Sequence, residues 1–336
     1  MKNRDYSLDI IRIYGMFLII FFHVVSVFAF QTPILSTSAN ATWGLIGTTI
    51  FFLLSGYLLK EHHSDLKNVF KFYGKRWLSI FPAFYLSFLF FYLLNVIQNG
   101  QFLYKGHPKT FLFTLLGIDK YLVWYGIDSY ALVGEWFTAI LIVLYLLFPL
   151  LNLIAKNKIV KWIFTVLLLG LYVVNIYVIT VKTGKIPDIS VITGVSVFWA
   201  GMMISDCKEF LRKHSFIGII TGVLALVCLI VPLKGHYLMK GNFIGLLVFL
   251  TFLILLKNAK GGKALTYIST LTYEMYLIHH ILADYAFVVY KKGIVPLPVI
   301  LFIYVACLFL GSFLLHIATK GLIKGIGKLF SRKKSE

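Results

Sequence analysis

Residues 8–30 read LDIIRIYGMFLIIFFHVVSVFAF. Wound as a helix rising about 1.5 Å per residue, a run of this length crosses a bilayer. It nevertheless carries Asp9, Arg12 and His23. An ionisable side chain in hydrocarbon costs on the order of 2.5–3.5 kcal/mol on insertion scales, so each of the three calls for a partner or a task. Arg12 and His23 are 11 residues apart, which at about 100° per residue is about 20° from three full turns, so both face the same way. The helical rise separates them by roughly 16 Å along the axis. Arg12 is thereby placed near one membrane surface and His23 beyond mid-membrane. Singly, Arg12 can snorkel to lipid phosphates and pair with Asp9, while His23 can hydrogen-bond a neighbouring helix. Together on one face they point to a functional passage.

The rest of the chain has the same character. Of 336 residues, 60% are hydrophobic and 13% charged, and the mean hydropathy is +0.87. A soluble domain has about a quarter of its residues charged, so a soluble enzyme and a disordered chain are both excluded. Apolar runs near 8–30, 41–59, 77–97, 136–155, 161–181, 189–205, 214–233, 242–256, 268–290 and 297–319 predict an all-α, polytopic membrane protein with ten transmembrane helices. The segment 111–118 is too short to cross and is expected to lie along the surface or re-enter.

The net charge of +19 comes from 32 Lys and Arg against 13 Asp and Glu. In a polar chain that excess would suggest nucleic acid, but here it falls in short clusters between apolar runs and records topology instead. Alternate connections carry 22 and nine of the basic residues, with Arg12 inside the first span. The richer set contains both termini, which are therefore expected in the cytoplasm, and an odd number of spans would split it. The first run is expected to be a retained anchor in the cell membrane. Residues 1–320 are read as one transmembrane domain and 321–336 as a basic tail suited to anionic lipid. Cys207, Cys228 and Cys307 are too scattered for a disulfide framework or a zinc site.

The ninth run adds Glu274, His279, His280 and Asp284. Consecutive histidines point about 100° apart, so they do not face one cavity together. Asp284 is one turn from His280 and is expected to pair with it. No spacing fits a metal site. A neutral imidazole at His23 can accept a proton from a hydroxyl near physiological pH, and a guanidinium at Arg12 suits a phosphate-bearing donor.

These residues resemble the acyltransferase 3 family of polytopic membrane O-acyltransferases, over essentially the whole chain. The Arg and His separated by ten residues are matched by Arg12 and His23. Phe51-Phe52-Leu53-Leu54-Ser55-Gly56 matches the second-span Ser-Gly signature, and Arg76-Trp77-Leu78-Ser79-Ile80-Phe81-Pro82 the basic entry to the third span. Glu135-Trp136-Phe137 with Pro149, and Tyr276-Leu277-Ile278-His279, match the fourth-span and late patterns. The resemblance implies transfer of an acyl group, often acetyl, from cytosolic acyl-CoA to a carbohydrate hydroxyl at the outer face, with acyl-CoA as a donor substrate and no permanently bound cofactor or metal. It assigns relay or base chemistry to His23, donor binding to Arg12, Arg76 and the Ser55 motif, and a place near the acceptor to Glu135; His279 is carried over as a motif member. The chain departs from the family at Ser79, where many members have a second Arg, and Lys75 is the substitute. The expected partners are acyl-CoA, a carbohydrate acceptor, the bilayer and glycan synthesis machinery, with no nucleic acid. The alternative is an exporter of polysaccharide or lipid-linked sugar, and a third reading is a structural partner of a glycan synthase.

Overall fold

The computed structural model describes residues 4–30, 33–103, 107–123, 126–127, 129–179, 182 and 190–332. The principal helices are α1 (Tyr6–Val27), α2 (Trp43–His63), α3 (Val69–Asn99), α4 (Glu135–Lys156), α5 (Lys158–Val174), α6 (Val191–Asp206), α7 (Ser215–Ile230), α8 (Tyr237–Leu255), α9 (Lys263–Lys291) and α10 (Leu297–Arg332). One falls on each expected run. Among the described residues, seven helices are long and apolar enough to cross a membrane, and α6 and α7 are shorter apolar helices. The chain is a polytopic membrane protein. The exception, α9, is long but carries the charges already noted in the ninth run.

Local chemistry starts these helices where they start. Asp5, Thr42, Asn68, Asn157 and Ser190 each accept a hydrogen bond from a first-turn backbone N–H of α1, α2, α3, α5 and α6, in that order, which satisfies donors that a helix leaves unpaired. At the far end of α3, Gly100 closes the helix at φ 67°, a left-handed conformation that costs glycine nothing. Pro82 and Pro149 lie inside α3 and α4, as membrane helices tolerate. Several helices outrun their apolar segments: α3 begins at Val69 and α10 runs on to Arg332. Bilayer thickness limits the apolar run, not the helix, so the basic turns continue as helix outside it. The segment after α3 forms short helices, Phe111–Leu115 and Asp119–Val123, with Tyr85 Oη donating to Leu115 O at 2.6 Å and the Phe111 and Tyr130 rings stacked at 4.0 Å.

The helices divide into two compact units, Met1–Lys67 with Val143–Thr272, and Asn68–Ile142 with Tyr273–Glu336. In the first, α2 is the central helix, with 78% of its spanning window buried. Lipid tails are as apolar as leucine, so close packing must hold such helices together. The Ser-Gly signature serves this: a Cβ on Gly56 would overlap the carbonyl oxygen of Phe198 in α6, and a Cβ on Gly201 of α6 would overlap that of Leu53. At one end of the unit, Asn40 locks α7 by donating to the carbonyls of Cys228 and Val231 and accepting from Leu233 N–H at 2.7 Å.

In the second unit, Tyr276 Oη donates to Gly134 O at 2.6 Å and Tyr273 Oη to Ile80 O at 3.3 Å, tying α9 to the start of α4 and to α3.

Gly56→Ala should lower the melting temperature in detergent, at a cost of about 1–3 kcal/mol for overpacking. Gly74→Ala in α3, where a Cβ meets nothing within 4 Å, should be neutral or stabilising. Equal melting temperatures for both variants would contradict this packing.

Candidate functional site

In the first unit, the ends of α1, α2, α5, α6, α8 and α9 that carry basic connections come together. Asp9 is at the centre, 3% exposed. Arg4 grips it through two bonds, Nε to Oδ2 at 2.7 Å and Nη2 to Oδ1 at 2.9 Å, and the carboxylate raises the pKa of Arg4 above its ordinary value, chiefly through that bond. Ser269 of α9 donates to Asp9 Oδ1 at 2.7 Å and accepts from Arg12 Nη1 at 3.0 Å. Arg12 Nη1 lies 3.8 Å from the same carboxylate oxygen. One carboxylate is thus shared by two guanidiniums, leaving the cluster net positive. The Arg12 side chain remains 28% exposed, and a guanidinium has five N–H donors in a planar fork. It is therefore held in place by one edge and can offer another to a phosphate.

A second layer fixes the same end. Arg212 pairs with Asp5 at 2.6 Å and donates to Ser7 Oγ at 2.9 Å, while Lys257 donates to Arg212 O at 2.5 Å and Ser215 Oγ at 2.9 Å. Lys208 pairs with Glu61 at 2.8 Å and Lys161 with Asp206 at 2.9 Å. His23, on the Arg12 face of α1, is half-buried with its ring 5.2 Å from that of Phe22, and Phe22 packs where α2 begins at Gly44. Ser55 is half-buried on α2 beside the close contact at Gly56.

In the second unit, Lys75 is exposed and Arg76 half-buried, its guanidinium 5.8 Å from the centre of the Phe72 ring. Ser79 turns back on its own helix and donates to Arg76 O at 2.7 Å. Glu135 opens α4, but its side chain lies outside the described residues. The residue before it, Gly134, adopts φ 83° and is pinned by Tyr276 Oη, whose ring lies 5.3 Å from Phe137. The fourth-span and late motifs therefore meet. His279 is fully buried, with Nδ1 2.7 Å from Tyr276 O, a place in the helix core. His280 pairs with Asp284 at 3.3 Å, as the spacing predicts.

The structure thus groups Arg12, His23 and Ser55 in one unit and Lys75, Arg76 and Glu135 in the other. Three residues were not singled out from the sequence as parts of a site. Arg4 and Ser269 complete the Asp9 cluster, and only their distance from Asp9 in space reveals them; neither is expensive where it stands in the sequence. His316, which pairs with Glu274 at 2.6 Å, sits inside an apolar run and was accessible to the rule that picked out His23. Among the described residues, no three His, Cys, Asp or Glu side chains gather as a metal site.

A family model described as an acyltransferase domain, that of acyltransferase 3, matches residues 5–317. No curated protein and no solved structure matches significantly.

Removing one member of a buried ion pair strands its partners and costs about 3–5 kcal/mol. Arg4 and Arg12 are partly exposed, so Asp9→Ala should cost less, about 2 kcal/mol, measured by unfolding in detergent. Asp65→Ala, which removes an exposed pair with Lys67, should change stability by less than about 0.5 kcal/mol. Equal effects would show that the Asp9 cluster does not hold this end of the unit.

Proposed function

The chain belongs to the acyltransferase 3 family and is a membrane-embedded acyltransferase, and from that premise we propose that it moves an acetyl group from cytosolic acetyl-CoA to a hydroxyl of a surface or secreted polysaccharide, or of its lipid-linked precursor. The observation that carries this reading is Arg12, held by Asp9 and Ser269 on the face of α1 that also bears His23. The basic end of the first unit lies at the cytoplasmic side of the cell membrane, with both termini, and its positive excess draws the donor's phosphates. Residues 1–320 are the catalytic membrane domain, and 321–336 a basic tail that meets anionic lipid.

The helical rise puts His23 roughly 16 Å from Arg12. A donor whose charged head is held at Arg12 must therefore present its acyl group at the end of a long arm, and acyl-CoA has that shape. His23 takes the proton of the acceptor hydroxyl as the oxygen attacks the thioester carbonyl. The new C–O bond forms, the C–S bond breaks, and the proton passes from the imidazole to the departing thiolate. In its neutral form an imidazole accepts such a proton near physiological pH. Arg76, with Lys75 beside it, adds to donor binding, Ser55 lines the donor side, and Glu135 serves the acceptor.

Purified His23→Ala protein should lose about 10²–10⁴ in transfer rate, the usual worth of a positioned acid–base group. Transfer at the wild-type rate would remove the assigned mechanism. Arg12→Ala should raise KM for acetyl-CoA by about tenfold or more, as expected for a lost charged hydrogen bond, with KM for the glycan unchanged; a selective rise in the glycan KM would reverse the assignment.

A further inference from the structure

Of the seven long apolar helices, α5 is the least buried, with 17% of its spanning window inside the protein. Beside it, entirely within the first unit, a partly open groove with a cavity of 390 Å³ runs between α5, α6 and α8. Its walls include Trp162 and Leu169 of α5, Ser196 and Ala200 of α6, and Leu246 and Leu250 of α8. A cavity of this size is within the range of ligand sites.

The polar groups in these walls are satisfied inside the protein. Trp199 Nε1 donates to Thr165 Oγ1 at 2.9 Å, Thr165 Oγ1 to Lys161 O at 2.8 Å and Ser196 Oγ to Ile192 O at 2.8 Å. The groove thus presents hydrocarbon, and a polar occupant would lose its hydrogen bonds to water without replacement. The groove is also elongated along the helix axes. Trp162 to Leu169 spans about 10 Å on α5, and Ser196 to Ile204 about 12 Å on α6. An extended alkyl chain lying along the membrane normal has this shape and chemistry.

One end of the groove is charged. Lys158 is exposed and stands one turn before Trp162, on the same face of α5. Lys161 pairs with Asp206 at 2.9 Å, and Lys60 lies 3.9 Å from the same residue's other carboxylate oxygen. Three ammonium groups therefore share this end with the Asp206 carboxylate. The first turn of α5 has no acidic residue, although a helix N-terminus disfavours cations. The local excess is complementary to an anion. Trp162, 57% exposed, stands between the apolar walls and the lysines, as indole rings do at membrane interfaces.

We propose that this groove binds one acyl chain of an anionic phospholipid, with the lipid phosphate meeting Lys158 at the basic end. The chain packs α5 onto α6 and α8, making the dispersion contacts that the cavity lacks. A neutral isoprenoid would fit the walls but leave the lysines unmatched. The site is independent of the acyl-transfer chemistry.

The test uses the full-length protein, stripped of lipid in detergent and titrated with phosphatidylglycerol or phosphatidylcholine, with bound lipid counted by native mass spectrometry. Wild-type protein should retain one phosphatidylglycerol and prefer it to phosphatidylcholine by about fivefold, the worth of one lysine near an anionic headgroup. Lys158→Gln should abolish that preference, while Lys213→Gln, an exposed change at the same end, should keep it. Ala200→Phe, which fills the groove, should lose both lipids while its lipid-free melting temperature holds or rises. Wild-type retention by Ala200→Phe would overturn the site. So would equal losses in the two lysine variants, which would show diffuse charge attraction, equal affinity of the wild-type protein for the two lipids, or a neutral isoprenoid as the retained species. If Ala200→Phe does not fold, the comparison of Lys158→Gln with Lys213→Gln decides alone.

Discussion

The carboxylate of Asp9 is the point on which the ionic end of the first unit depends. Bringing Arg12 into a membrane-spanning helix would be costly in isolation. Asp9 removes that cost by proximity, and Ser269 bridges the two side chains with one hydrogen bond to each. Arg4 then clamps the carboxylate from the chain before the helix. The arrangement ties the first helix to the ninth and leaves a guanidinium rigid enough to meet a phosphate with little loss of side-chain entropy. The same carboxylate explains how two arginines can occupy one small region of a helix bundle without mutual repulsion driving them apart.

Much of the fold was legible because a bilayer imposes a simple rule. Every spanning backbone must satisfy its own hydrogen bonds, so apolar runs become helices, and α1 to α10 appear where the runs fall. Helix starts were legible in principle from caps such as Asn68 and Asn157. Helix ends were less so: the turns Val69–Arg76 and Lys320–Arg332 are helical though basic, because hydropathy reports where the membrane is, not where hydrogen bonding stops. The division into two units was hidden as well, since it separates α4 and α9 within single helices and no change in composition marks either place.

The site was legible where a residue is expensive and hidden where it is cheap. Arg12, His23 and the Asp284 pair stand out because charge in an apolar run demands an explanation. Ser269 is an ordinary serine until Asp9 and Arg12 are beside it, and Arg4 is one of many basic residues near a chain end. Gly56 and Ser55 show the converse. Their motif stands out in the sequence, and the structure gives Gly56 a packing task against α6. Tyr276 ties the late motif to Gly134, a link across 142 residues that no local pattern contains. Acyl transfer is thus supported by a matched family, while the arrangement that holds Arg12 becomes visible only in three dimensions.

The central claim, that this acyltransferase esterifies an envelope polysaccharide, is tested most directly by mass spectrometry of envelope glycans from cells with and without the protein. The account predicts normal amounts of exported polymer that lacks acetyl esters when the protein is absent, with the esters restored by the wild-type gene and not by His23→Ala. Unmodified polymer trapped inside the cell would instead identify an exporter, and an unchanged ester content would contradict the account.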